Sequence, residues 1–156
     1  MIEDSFPLQP LQRAFLQVNT DLNALSEVLL WFDQFSVPPI ADRDWLHCQL
    51  VLAEGFTNAV RHAHKGRPVE LLIDIEVMVF AERIEMRLWD CGAPFNLAHR
   101  LEQLPSSFDD EAEGGRGLQL MRKLTDVLSY TRVEQRNCLL LVKHYTKRQV
   151  MPEGTK

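Results

Sequence analysis

Glu54, Asn58 and His62 recur at every fourth position of a segment that reads as one helix, from about Asp42 to His64. Each step of four drifts only about 40° around the helix axis, so the three side chains stack on one face over successive turns. A carboxylate accepts hydrogen bonds, a carboxamide both donates and accepts, and an imidazole titrates near neutrality. Together they could line the floor of a polar site. Alone, the stripe equally describes the solvated edge of an amphipathic helix. The neighbouring row Leu46, Leu50, Ala53, Thr57 and Val60 is mostly apolar and is expected to be the buried one.

Two further stretches carry chemistry. Ile84, Met86 and Leu88 share an inward parity that also takes in Asp90. A carboxylate on a buried face is costly without a donor. Asp90 therefore either caps a local turn or accepts a hydrogen bond from a ligand amine. Cys91-Gly92-Ala93-Pro94-Phe95 follows it. Gly92 permits a tight turn or a close backbone approach, while Pro94 and Phe95 fix the chain and offer an apolar wall. Further on, Gly114, Gly115, Arg116 and Gly117 precede Leu118, Leu120, Met121 and Leu124, a short helix. Backbone N–H groups at such a helix start converge on an anion, helped by the helix dipole. Arg116 adds a fork suited to phosphate oxygens. No Gly-Lys-Ser/Thr follows, so this is not a Walker loop. A Gly-rich run by itself also serves as a simple hinge.

The elements that must position these groups follow from periodicity. Arg13 to Val18 alternates and reads as a strand near a sheet edge. Thr20 or Asp21 can cap a helix in which Leu22, Leu25, Leu29 and Phe32 recur, through about Phe35. Pro38-Pro39 ends it, and Asp42 is the expected cap of the central helix, which stops at Gly66-Arg67-Pro68. Val69, Leu71, Ile73, Ile75, Val77 and Val79 occupy every odd position, with Glu70, Asp74 and Glu76 between them, a strand with one buried face. A turn near Ala81 leads to the strand that ends at Asp90. Residues 96–113 show little pattern and end in the acidic run from Asp109 to Glu113, which suggests a functional lid or a solvated loop. Val127 to Arg132 and Cys138 to Tyr145 close the chain as two strands around a turn at Gln135 to Asn137.

The 156 residues, 46% hydrophobic and 25% charged, are expected to form one domain spanning 1–156, with residues 1–10 and 147–156 as loosely held tails. The net charge of −5 and the lack of a basic stripe argue against a nucleic-acid surface. Cys48, Cys91 and Cys138 lack C-x-x-C spacing and suit reduced thiols in a cytosol. Neither a signal peptide nor a membrane-length apolar run is present in the sequence, so a cytoplasmic location without membrane contact is expected.

The order of these pieces resembles the anti-sigma-factor serine/threonine kinases, a branch of the GHKL, or histidine-kinase-like, ATPase superfamily. Glu54-x-x-x-Asn58-Ala-x-x-His62 resembles the N box, Asp90-x-Gly92-x-Pro94-Phe95 the first glycine box, and Gly114-Gly-Arg-Gly-Leu118 the second. The resemblance covers about Glu54 to Met121. It implies an α/β (α+β) two-layer sandwich, the Bergerat-type ATP-binding fold, with helices on one face of a mixed, mostly antiparallel sheet. It further implies ATP and Mg²⁺ as cofactors. Asn58 would help hold the metal, Asp90 would accept from the adenine amino group, and Gly92 would let the backbone approach the base. Gly114, Gly115, Arg116, Gly117 and Leu118 would surround the phosphates, Pro94 and Phe95 would wall the site, and Glu54 would be the general base. His62 either lines the site or packs.

Two departures stand out. Relatives place a threonine in a late strand to touch adenine, where this chain reads Arg136-Asn137-Cys138. The acidic run also brings negative charge beside the expected phosphate site. The activity implied is phosphorylation of a small anti-sigma-factor antagonist, combined with binding of a sigma factor or other regulatory protein. Dimerisation is a habit of the family. The alternative is an ATP-binding partner-switch module with little turnover. A sensor histidine kinase core is disfavoured, since the sequence shows no dimerising phospho-acceptor helix pair.

Overall fold

The computed structural model describes residues 9–35, 40–104 and 115–147. The Pro38-Pro39 break, the acidic end of the expected lid, Gly114 and most of both expected tails lie outside them. Five strands form the sheet: β1 (Gln12–Asn19), β2 (Leu72–Val79), β3 (Arg83–Asp90), β4 (Val127–Val133) and β5 (Arg136–His144). Their spatial order is β1-β2-β3-β5-β4, and all four pairings are antiparallel. The mostly antiparallel sheet expected is thus wholly antiparallel among the described residues, and β1 lies at an edge as its alternation suggested.

Alternation sorts the two faces. Ile73, Ile75, Val77 and Val79 of β2, with Ile84, Met86 and Leu88 of β3, point into the core. Asp74, Glu76, Glu85 and Arg87 point to the other face, where Arg13, Arg83 and Arg136 complete their ion pairs. Val69, at 50% exposed, falls outside β2, because the chain turns between Pro68 and Leu71 first. The helices α1 (Leu25–Phe32), α2 (Asp42–Asn58) and α4 (Arg116–Leu124) cover the apolar face, giving the two-layer α+β architecture. A short helix α3 (Leu97–Glu102) packs beside β4.

The helices differ from expectation in four ways. Asp21 accepts a hydrogen bond from Asn23 N–H and caps a single 3-10 turn, and the buried residues of α1 are Val28 and Phe32. Ala41, not Asp42, occupies the cap position of α2. The expected apolar row of α2 is not its buried face: Leu46 is 51% and Leu50 40% exposed, whereas Cys48, Val51, Leu52, Gly55, Phe56 and Ala59 are buried. The reason is packing. Trp45 stacks on Phe32 at 4.3 Å between ring centroids, and Gly55 lets the helix settle against Leu88 and Leu139. Finally, the segment after Asn96 has a pattern after all. Asn96 Oδ1 accepts from His99 N–H and starts α3, with Leu97 buried.

Candidate functional site

Helix α2 does not run regularly to His64. Residues Ala59–Ala63 form a π-type turn, in which His64 N–H reaches back five residues to the Ala59 carbonyl. Wide turns of this kind are rare and often sit at functional sites. This one shifts the helical register. His62 is exposed at the mouth of a cavity, while His64 turns inward and is 1% exposed. His64 Nε2 accepts from Cys91 N–H at 2.9 Å, so its Nδ1 carries the hydrogen and donates to Thr20 Oγ1 at 2.7 Å. The Thr20 hydroxyl in turn donates to the Leu71 carbonyl. Burial lowers the His64 pKa. The neutral ring thereby ties the end of the first motif to the start of the second.

Gly92 is the closest point of that junction. A Cβ there would stand 2.7 Å from Ala63 O and 3.0 Å from Ala63 Cα. The close backbone approach that Gly92 permits is thus to the π turn of its own chain. Beside it, Asp90 is 4% exposed. Its Oδ1 accepts from Gly92 N–H and from Asn137 Nδ2, each at 2.8 Å, and its Oδ2 accepts from the Tyr130 hydroxyl at 2.5 Å. Asn137 lies directly opposite Asp90 in the β3–β5 register and also donates to the Gly92 and Ala93 carbonyls. Arg132 Nη1 donates to the Gly92 carbonyl and to Asn137 Oδ1. From the late strand β5, the side chain that reaches Asp90 is the Asn137 carboxamide.

Asp90 and Tyr130 face a cavity of about 430 Å³ beneath α3, between α2 and the sheet. Asn58 and His62 line it from the helix side, Asp90 and Tyr130 from the strands, Pro94 and Phe95 from the loop, and Leu118 from α4. Its remaining walls are mostly apolar, with Arg100 of α3 a further cation. Phe95 meets Tyr130 edge to face at 6.0 Å.

The third motif closes over the first. Helix α4 starts at Arg116, two residues earlier than its apolar pattern suggested, with Gly115 at its cap position. A Cβ on Gly117 would stand 2.6 Å from Glu54 Oε2 and 3.5 Å from Asn58 Nδ2. The positive end of the α4 dipole thus lies beside the Glu54 carboxylate. Arg116 is exposed, and Glu54 is half-buried under Gly117, off the cavity wall.

The three sequence motifs therefore meet in space, at one end around Asp90 and at the other around Glu54. Sequence reasoning missed Tyr130, Asn137, Arg132 and His64. Only the inward parity of Tyr130 with Leu128, and the second imidazole in His62-x-His64, offered a signal. Among the described residues, no cluster of three His, Cys, Asp or Glu could hold a metal, and no helix is long and apolar enough to cross a membrane.

Fold and site together define an ATPase-type domain with helices on one side of an antiparallel sheet. The chain belongs to the histidine kinase-like ATPase domain family, whose model matches residues 18–143. It is 34% identical over 84 residues to serine-protein kinase RsbW of Bacillus pumilus, a match covering 50% of this chain and 52% of that one. To serine-protein kinase RsbW of Staphylococcus epidermidis it is 29% identical over 111 residues, covering 68% and 69%. The chain spans about half the length of the first of these relatives. The solved RsbU and RsbW domains of Rv1364c from Mycobacterium tuberculosis share its fold, with a TM-score of 0.62 at 11% identity over 94% of this chain and 36% of that one. The resemblance carried by the three motifs is borne out.

Proposed function

We propose that the chain is an ATP-dependent serine/threonine protein kinase acting as an anti-sigma regulatory factor. In this reading it forms one domain, phosphorylates a small antagonist protein and binds a sigma factor. The observation that carries the reading is that Gly117 meets both Glu54 and Asn58, while Asn58 and Asp90 line one cavity. Asp90 can accept from a purine amine, and the N–H groups beside Gly117 can meet phosphates.

The residues fit Mg-ATP. A cavity of about 430 Å³ lies within the usual range for small ligands. Mg²⁺ takes few protein ligands and keeps waters and phosphate oxygens, so one carboxamide, Asn58, suffices on the protein side. When bound, the metal would supply neutralisation of phosphate charge. Phosphoryl transfer asks the protein mainly for positioning and charge stabilisation. Asp90 would accept from the base amine, while Pro94, Phe95 and Leu118 would exclude water. The N–H groups at the start of α4 and Arg116 would face phosphate oxygens. Glu54 would accept the proton of the attacking hydroxyl or orient it.

A second reading, a nucleotide-dependent partner switch with little turnover, is favoured by one observation. Glu54 lies under Gly117 and not on the cavity wall. Incubation of native chain and Glu54→Gln with Mg-ATP and a cognate antagonist separates the two. Loss of labelling with ATP binding retained supports the kinase. Absence of labelling by the native chain, with nucleotide-dependent partner exchange intact in both, supports the switch.

A further inference from the structure

We propose that Tyr130 sets the base selectivity of the cavity: its hydroxyl occupies one of the last two acceptor positions of Asp90, so a nucleobase can place one N–H donor on this carboxylate but not two. The inference rests on reading the cavity as a purine nucleotide site.

A carboxylate offers about four acceptor positions, two on each oxygen. Both positions on Asp90 Oδ1 are filled, by Gly92 N–H and Asn137 Nδ2 at 2.8 Å each. The Tyr130 hydroxyl takes one position on Oδ2 at 2.5 Å. One remains, and Asp90 lines the cavity. Tyr130 lines the same cavity and meets Phe95 edge to face. Burial, then the hydrogen bond to Asp90, push the phenol pKa upward, which keeps the hydroxyl a donor at any ordinary pH.

Base chemistry turns this count into selectivity. Adenine presents one exocyclic amine next to a ring acceptor and needs a single carboxylate position. The edge of guanine that could face a carboxylate presents two adjacent donors, its ring N–H and its 2-amino group. With one position open, the second donor enters a buried site unpaired, and an unpaired buried donor is expensive. Hypoxanthine has the same ring N–H without the 2-amino group, so it isolates the second donor.

Titration calorimetry of the full chain with the Mg complexes of ATP, inosine triphosphate and GTP tests the idea. In the native chain GTP should bind about tenfold or more weakly than inosine triphosphate. In Tyr130→Phe, which frees the second position on Oδ2, that gap should close. A merely structural role for Tyr130 would weaken all three nucleotides together and leave their ratio unchanged. Equal binding of inosine triphosphate and GTP by the native chain overturns the proposal, and this comparison does not depend on the variant folding. A folded Tyr130→Phe that keeps the gap also overturns it. Failure of the native chain to bind any of the three removes the nucleotide reading itself, a distinct outcome.

Discussion

Gly92 and Ala63 approach so closely that a Cβ on Gly92 would lie 2.7 Å from the Ala63 carbonyl oxygen. The obstacle is backbone, held by the π turn, and cannot swing aside. Gly92→Ala should therefore force the loop after β3 off the end of α2. Overpacking of this kind costs about 1–3 kcal/mol. Urea unfolding of native and variant chains should show that loss, with reduced nucleotide affinity as the Asp90 web shifts. Unchanged stability would mean that the junction is looser than this contact indicates.

Gly117 gives the opposite balance. The atom its Cβ would meet is Glu54 Oε2, the far end of a flexible side chain, at 2.6 Å. Gly117→Ala can be accommodated by rotation of Glu54, and alanine favours the helix. Stability should change by less than about 1 kcal/mol. Phosphoryl transfer should fall about tenfold or more, since displacing a catalytic group by about 1 Å is costly. Parallel unfolding and labelling assays would show the split. Equal activity would argue against a catalytic position for Glu54.

His64 should make stability depend on pH. Burial lowers its pKa from the ordinary 6.5; the Asp90 carboxylate partly opposes this and Arg67 adds to it. The folded state thus prefers the neutral ring, whose Nε2 accepts from Cys91 N–H. That contribution is complete above the unfolded value and is lost as pH falls through the lower folded value. Urea midpoints taken from about pH 7.5 down to about pH 5 should fall for the native chain more steeply than for His64→Gln. Parallel curves would remove His64 as the cause.

Much of this was legible before the fold. The odd-position run from Ile73 to Val79 and the parity of Asp90 with Leu88 follow from the two-residue period of a strand, which tertiary packing cannot shift without reversing a whole face. The partners of Asp90 were not legible. Tyr130 and Asn137 reach it only through the β3–β5–β4 register, which pairs residues about 40 positions apart. The apolar row Leu46, Leu50, Ala53 misled because apolar residues occur on both sides of α2, and the side that packs was decided by the small Gly55 against Leu88 and Leu139. The π turn escaped for a related reason. One extra residue in a helical ladder leaves no compositional mark, yet it exposes His62 and buries His64.

Asn58 contacts the cavity from α2 beside Glu54 and Gly117. If it holds the metal, Asn58→Ala should weaken ATP binding by about tenfold in the presence of Mg²⁺. Binding in excess chelator should change little. An equal loss in both conditions would assign Asn58 to the nucleotide or to packing.

Asp90→Asn separates base reading from folding. The amide oxygen can keep the Oδ1 position, where Gly92 N–H and Asn137 Nδ2 are donors that cannot reverse. The amide nitrogen then takes the Oδ2 position, and the Tyr130 hydroxyl, which can rotate, accepts from it. The web survives with its charge removed, so stability should fall by only about 1–2 kcal/mol. The cavity, however, loses its last acceptor and gains a donor in its place. An adenine amine now meets another N–H, whereas a 6-oxo purine meets a partner. The variant should remain folded, bind ATP far more weakly than the native chain does, and prefer inosine triphosphate over ATP. Calorimetry with both nucleotides measures this directly. A variant that loses affinity for both in equal proportion would show that Asp90 supports the loop without reading the base.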